Sequence, residues 1–173
     1  MQREVIYWEA GAVTFDWERL YADHAHEILR FLVKLTGERE EASELMQETY
    51  VRAIRTGGRA GDIGSPRAWL FRIATNLARD RHRRRVLLRF VPFSGREVDP
   101  AALHDPETEL VHRALSALPL AQATTLLLHY DGGFSRKEIA SLHGLTEEAV
   151  KSRLARGRDR FAREYERVGG GRS

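Results

Sequence analysis

The chain has 173 residues, of which 42% are hydrophobic, and a formal net charge of +3. This length allows one domain or two small ones, and either can bury a core. The absence of cysteine excludes disulfides and thiolate metal sites and suits a reducing compartment. No apolar run approaches the roughly 20 residues that a membrane-spanning helix needs, and no basic leader flanks the short apolar stretch at residues 5–8. We therefore expect a cytoplasmic protein without membrane insertion.

Arginine and lysine concentrate in two separate segments, residues 79–89 and 151–163, whereas the acidic residues lean towards residues 16–48. Two separated basic segments indicate two contact points on a polyanion such as a nucleic acid. The alternative is that both segments are solvated helix faces. Against it, few acidic residues are interspersed in these segments to offset the repulsion between their positive charges.

The first 14 residues form an N-terminal extension without an assigned element; Tyr7 and Trp8 in it either pack on the first bundle or contact a partner. Residues 15–89 have helical periodicity. The first apolar stripe ends at Gly37 and comprises Leu20, Tyr21, Ala25, Ile28, Leu32 and Leu35. A second helix over residues 40–55 has the inner face Ala42, Leu45, Met46, Thr49 and Ala53. After a glycine-rich loop, Ser65 and Pro66 are typical of a helix start, and this third helix is predicted to bury Trp69, Leu70, Ile73 and Leu77.

Residues 90–106 contain three prolines and are predicted to form an extended linker. Residues 107–168 are predicted to form a second helical unit, in which helices over 107–118 and 120–130 precede a helix-turn-helix. Residues 169–173 are predicted to form a flexible tail. No alternating run indicates a strand. The predicted fold class is all-α, with two small helical bundles joined by an extended linker.

The segment 134–158 has the pattern of a helix-turn-helix. Gly144 occupies the turn, where a left-handed backbone is needed, and Ala140 allows close helix contact. The last helix, from about Thr146 to Arg167, has a stripe of Val150, Leu154, Phe161 and Tyr165, with Gly157 allowing close approach. Such a helix can bury one side and contact bases and phosphates of duplex DNA with the other. Glu147 and Glu148 either contact bases or only favour the helix dipole.

Four segments together resemble the extracytoplasmic-function (ECF) group of bacterial RNA polymerase sigma factors. They are ASELMQETYVRA, PRAWLFRIATNLARDRHRR, ALSALP and FSRKEIASLHGLTEEAVKSRLARGRDRF, and the resemblance covers about residues 15–165. It implies a factor that directs core RNA polymerase to specific promoters and assists promoter opening. Its implied partners are the polymerase, at the clamp of the largest subunit and at the flap, and promoter DNA in duplex and single-stranded form. Members of this group often have an anti-sigma factor, so such a partner is a further expectation.

The resemblance also implies three sets of contact residues. Residues 15–89 match sigma region 2, whose second helix docks on the polymerase clamp and here offers Glu44, Gln47, Glu48 and Arg52. The part of region 2 that captures unpaired bases of the −10 element offers Arg59, Asn76, Arg79, Asp80 and Arg83. Residues 107–168 match sigma region 4, which reads the −35 element and offers Glu148, Lys151, Ser152, Arg153 and Arg156.

Competing interpretations remain for several of these residues. The outer face of the second helix can be a solvated surface, and Asn76 can serve a buried network. Ser43, Ala123, Glu148 and Ala149 depart from the family pattern, and the loop at residues 56–65 has no aromatic residue. The departure at Glu148 and Ala149 leaves the preferred −35 sequence open, and the loop leaves the captured base open.

No pattern of residues indicates a catalytic site, a metal site or a bound cofactor, so we expect that the chain is not an enzyme. The seven histidines form no metal-ligand spacing with carboxylates, and no phosphate-binding glycine loop or nucleophile elbow occurs. Two other classes are weaker alternatives. An autonomous helix-turn-helix regulator would need a self-complementary dimer face, and a recombinase-like enzyme would need catalytic residues upstream of the DNA-binding unit.

Overall fold

The computed structural model describes residues 16–56, 65–88 and 106–169. Four features predicted from the sequence lie outside these residues. They are the extension at residues 1–14, the glycine-rich loop with Arg59, nearly all of the linker, and the tail beyond Gly169.

All regular structure within the described residues is helical, which confirms the predicted all-α class. The helices are α1 (Trp17–Thr36), α2 (Arg39–Arg55), α3 (Pro66–Leu88), α4 (Pro106–Ser116), α5 (Leu120–Leu126), α6 (Arg136–His143) and α7 (Glu147–Gly169). A short π-helical turn, Leu127–Asp131, continues α5. We call α1–α3 the first module and α4–α7 the second module.

The first module buries most of the residues that the periodicity predicts, but Leu35 and Ile73 are only partly buried and Tyr21 is exposed. Ser65 caps α3 as expected, because its Oγ accepts a hydrogen bond from the Ala68 amide at 3.1 Å. All five predicted inner residues of α2 are buried, and Tyr50 joins them. The prediction for Tyr21 was wrong: its side chain is 47% exposed and lies against the ring of Tyr50 at the rim, with 4.9 Å between centroids. A tyrosine tolerates this position because its hydroxyl can stay in water while the ring packs.

The second module contains the predicted helix-turn-helix in α6 and α7. Ser135 and Glu138 form a reciprocal capping box at the start of α6, which satisfies two amide groups that the first helical turn leaves free. Gly144 ends α6 with φ +63°, in the left-handed region that a side chain resists. Val150 and Leu154 are buried, and Gly157 lies against Leu126 of α5, as its predicted role in close approach requires.

The two modules pack on each other and share one hydrophobic core, which the sequence did not predict. The ring of Phe71 in α3 meets Phe31 of α1 at 5.3 Å and Phe134 of the second module at 5.0 Å, both edge to face. The guanidinium of Arg67 lies 4.1 Å from the Phe134 ring centroid. Arg67 also forms an ion pair with Glu27 and donates a hydrogen bond to the Gly132 carbonyl. This aromatic row therefore joins α1, α3 and the loop before α6.

A second contact between the modules forms where α1 ends. Gly37 terminates α1 with φ +79°, and a Cβ there would stand 2.2 Å from the ring of His112 in α4. The His112 Nδ1 lies 3.0 Å from the Lys34 carbonyl oxygen, so the neutral ring donates a hydrogen bond from this atom. Burial lowers the pKa of His112 below its usual value. Lys34 and Arg30 both pair with Asp131 on the second module, so this edge combines apolar packing with charge pairing.

Candidate nucleic-acid and protein interfaces

The exposed face of α7 carries four of the five residues predicted to contact duplex DNA. Glu148, Lys151, Ser152 and Arg156 are all exposed, and their spacing of three and four residues places them side by side on the helix. Thr146 accepts a hydrogen bond from the Ala149 amide at 3.1 Å and so caps the helix start. The first turns of α7 thus present hydroxyl, ammonium and guanidinium groups to solvent.

Arg153 is positioned differently from the other four residues. It is half-buried and lines a cleft between the modules, together with Arg79 of α3. The structure therefore brings together two residues that the sequence assigned to different DNA segments. In this arrangement of the modules Arg153 borders the cleft, whereas the other four residues are exposed.

Along α3, the four described candidates for the −10 element share one face. Asn76, Arg79, Asp80 and Arg83 follow one another at helical spacing, and three of them are exposed while Asp80 is half-buried. The Asn76 Oδ1 accepts a hydrogen bond from Arg79, and Arg83 pairs with Asp80 at 3.2 Å. Since Asn76 is exposed, the alternative that it serves a buried network does not hold.

The outer face of α2 presents the four residues predicted for the polymerase contact. Glu44, Gln47 and Arg52 are exposed, and Glu48 is half-buried. The Arg52 Nε donates to Glu48 at 2.9 Å, and Arg81 of α3 lies 3.3 Å from the Glu44 carboxylate. These pairs hold the charged side chains of the face in place while leaving them accessible.

Two apolar residues on α2 were missed by the sequence reasoning. Val51 is 38% exposed and Ile54 is 50% exposed, and they follow Gln47 at spacings of four and seven residues on the same outer face. Branched apolar side chains exposed beside a charged row are typical of a protein-binding surface. The sequence did contain a signal for them, because both are apolar yet lie outside the inner stripe of α2.

The described residues contain neither a metal-binding cluster nor a membrane-spanning helix. No group of three histidine, aspartate or glutamate side chains there is arranged to hold a metal ion. Among the same residues, no helix combines the length and apolar character needed to cross a membrane.

Comparison with known proteins identifies both modules. Residues 20–87 match the family model of sigma-70 region 2, and residues 108–161 match that of sigma-70 region 4. The ECF RNA polymerase sigma factor SigL of Mycobacterium tuberculosis is 32% identical over 142 residues, which cover 78% of this chain and 80% of SigL. The ECF RNA polymerase sigma factor SigE of Mycolicibacterium smegmatis is 31% identical over 159 residues, with 86% of this chain but only 61% of SigE covered.

Solved structures agree with the fold. The sigma factor RpoE of Bartonella quintana, in complex with the anti-sigma factor NepR, superposes with a TM-score of 0.70 at 23% identity. This match covers 87% of the present chain and 97% of RpoE. CnrH, solved in complex with the cytosolic domain of CnrY, has a TM-score of 0.61 and 26% identity over 84% of each chain.

Proposed function

The chain belongs to the ECF sigma factors of the sigma-70 family, whose function is promoter-specific initiation of transcription by RNA polymerase, and on that premise we propose how its residues divide the work. The first module binds core polymerase and the −10 element, and the second module binds the −35 element. The single observation that supports this division best is that each candidate set, apart from Arg153 and Arg59, occupies one continuous helix face.

For the polymerase contact, we propose the outer face of α2, centred on Gln47, Glu48 and Arg52 and extended by Val51 and Ile54. An interface of this kind combines an apolar centre with a charged rim, in which the charges set register and association rate. The second module supplies a contact to the flap of the polymerase. Both assignments follow the resemblance of the chain to its family.

For promoter DNA, we propose that Lys151, Ser152 and Arg156 contact the −35 duplex while Asn76, Arg79 and Arg83 contact the −10 strand. Arginine can bind guanine through two hydrogen bonds, and a basic helix face stabilises an unpaired strand through its phosphates. Opening of the promoter is then thermodynamically linked to polymerase binding, because the polymerase and DNA contacts together stabilise the distorted, opened DNA. The chemistry of RNA synthesis belongs to the polymerase, and we propose no catalytic activity for this chain.

Reconstitution with core polymerase tests the proposal. The purified chain should co-elute with the core enzyme and support transcription from promoters selected by the reconstituted complex. Val51→Ser together with Ile54→Ser should weaken co-elution, whereas Val86→Ser, which changes a similarly exposed branched residue on α3, should not. Tight binding to a palindromic site without polymerase, and no association with polymerase, would instead support the autonomous regulator.

Arginine substitutions on α7 test the DNA assignment. Arg156→Gln should weaken −35 binding by a factor of roughly 5 to 150, the range expected for one bidentate base contact. Arg163→Gln removes the same charge from an exposed site further along the helix and should have a smaller effect. Equal losses in the two variants would mean that only general charge is involved.

Two further proposals concern partner and location. An anti-sigma factor is proposed on the basis of group membership, and a stable complex with a protein encoded beside this chain would support it. The cytoplasm is the proposed location, because the polymerase that the factor serves acts there.

A further inference from the structure

A cleft that is partly open to solvent lies between the two modules. It has a volume of about 360 Å³. Its walls come from α3, α5, α6 and α7 and from the turn before α7, with the lining Thr75, Arg79, Leu120, Ala121, Thr124, His143, Leu145 and Arg153. One part of the lining is cationic or hydroxylic, and the other part is apolar. The packing of the modules creates this space, because each module contributes only some of its walls.

Positive charge in and around the cleft has no paired carboxylate within the part of the chain that the structure describes. Arg79 and Arg153 line the cleft, and Arg72 is close enough for its charge to lower the pKa of His143. Among the described residues no carboxylate forms an ion pair with any of these three arginines, although most other arginines of the first module have such a partner. Bringing like charges together costs free energy unless an anion offsets it.

A buried polar atom also points to a missing ligand. The Nε2 of His143 is inaccessible and has no hydrogen-bond partner among the described residues, and His143 itself lines the cleft. An unpartnered buried nitrogen is costly and rare in native proteins. Burial, with the charges of Arg79, Arg153 and Arg72 adding to it, lowers the pKa of His143 from 6.5 to about 4. An anion in the cleft would offset the charge repulsion, and rotation of the imidazole ring would bring Nε2 within reach of it.

We propose that this cleft binds a small phosphorylated anion, with its phosphate on Arg79, Arg153 and His143 and its organic part against Leu120, Ala121 and Leu145. Guanidinium groups match the oxygens of phosphates and carboxylates through paired hydrogen bonds, and the higher charge of a phosphate suits a site with two arginines. The Thr124 hydroxyl is a further donor on the α5 wall. A cleft of this volume between packed modules admits a small molecule but not a nucleic-acid strand.

Binding of this anion affects promoter binding, and this consequence, unlike the binding itself, rests on the proposed function. Arg79 is a proposed contact with the −10 strand, and in the packed arrangement it also lines the cleft with Arg153. The anion therefore stabilises the packed modules and competes with promoter DNA for Arg79. Its binding to the free chain does not depend on that function and is tested separately.

Calorimetry of the full chain with inorganic pyrophosphate tests the site. The unmodified chain should bind one pyrophosphate saturably. Arg153→Gln and His143→Leu should each weaken binding at least about tenfold, the effect of losing one charge-assisted hydrogen bond. Arg84→Gln removes the same charge from an exposed position on α3 that does not line the cleft, and it should change binding less than about twofold. His143→Leu is expected to fold normally, because an apolar side chain replaces an unpartnered polar one.

Proton uptake gives a second, site-specific measurement. Because an anion favours the charged imidazolium, binding near pH 6 should take up more protons in the unmodified chain than in His143→Leu. Calorimetry in two buffers of different ionisation enthalpy measures this difference, and the difference between the two chains isolates His143 from the titration of pyrophosphate itself. The proposal is overturned if pyrophosphate does not bind, if Arg84→Gln weakens binding as much as Arg153→Gln, or if proton uptake is the same in both chains. If the site binds pyrophosphate but polymerase-dependent transcription is unaffected at constant ionic strength, only the competition with promoter DNA is lost.

Discussion

Replacement of Phe134 by alanine is the most direct test of the shared core. Phe134 is 1% exposed, meets the ring of Phe71 at 5.0 Å and lies under the guanidinium of Arg67 at 4.1 Å. Removal of a fully buried phenylalanine ring costs about 3–5 kcal/mol, and loss of the cation–π contact with the partly exposed arginine adds about 0.5–1 kcal/mol. Since small proteins are stable by only about 5–15 kcal/mol, Phe134→Ala should remove a large part of the stability.

Urea unfolding followed by circular dichroism measures this loss, with Tyr130→Ala as the matched control. Tyr130 lies four residues earlier and is 63% exposed, so its replacement should change the free energy of unfolding by less than about 1 kcal/mol. A loss below about 1 kcal/mol for Phe134→Ala, or one equal to the control, would refute the burial of Phe134.

A double-mutant cycle separates packing within the second module from packing between modules. Phe71→Leu and Phe134→Leu keep an apolar side chain at each site but remove the edge-to-face contact of the rings. The coupling free energy of the pair should be about 0.5–1.5 kcal/mol. A coupling near zero would mean that the two modules do not pack on each other in the free chain.

Three further predictions concern a glycine, a histidine and a helix cap. Gly37→Ala should destabilise the chain by several kcal/mol in urea unfolding, because the added Cβ would strike the imidazole of His112. Gly144 has a similar φ but open space around it, so Gly144→Ala should cost only about 1–2 kcal/mol. Equal costs would contradict the close contact between Gly37 and His112. The pKa of His143 is lowered from 6.5 to about 4 in the folded chain, so the free energy of unfolding should fall as the pH drops below 6.5, by about 2 kcal/mol at pH 5. If the His143→Leu chain shows the same pH dependence, His143 is not its source. Ser135→Ala should cost about 1 kcal/mol in thermal unfolding through loss of the capping box. Ser141→Ala, at an exposed position inside α6, should be neutral or slightly stabilising. A larger loss of stability for Ser141→Ala than for Ser135→Ala would contradict the cap.

Local pattern alone predicted much of the fold. The three- and four-residue spacing of apolar side chains located the helices of both modules. Ser65 as a cap and Gly144 at the turn predicted helix ends, which hydrogen bonds and backbone angles set within a few residues. These features depend on near neighbours in the chain. The resemblance to ECF sigma factors supplied the candidate contact residues, and the same spacing places most of them on the exposed faces of α2, α3 and α7.

Tertiary structure alone decided how the modules meet. The row Phe31, Phe71 and Phe134 joins residues far apart in the sequence, and no local spacing states that an apolar side chain of one bundle will pack on the other. The same packing places Arg153 and Arg79 along one cleft and leaves the His143 Nε2 buried with no hydrogen-bond partner among the described residues. The periodicity of α7 could place Arg153 only beside an apolar stripe. Burial and charge in the cleft arise from surfaces contributed by both modules, so they exist only once those surfaces are in contact.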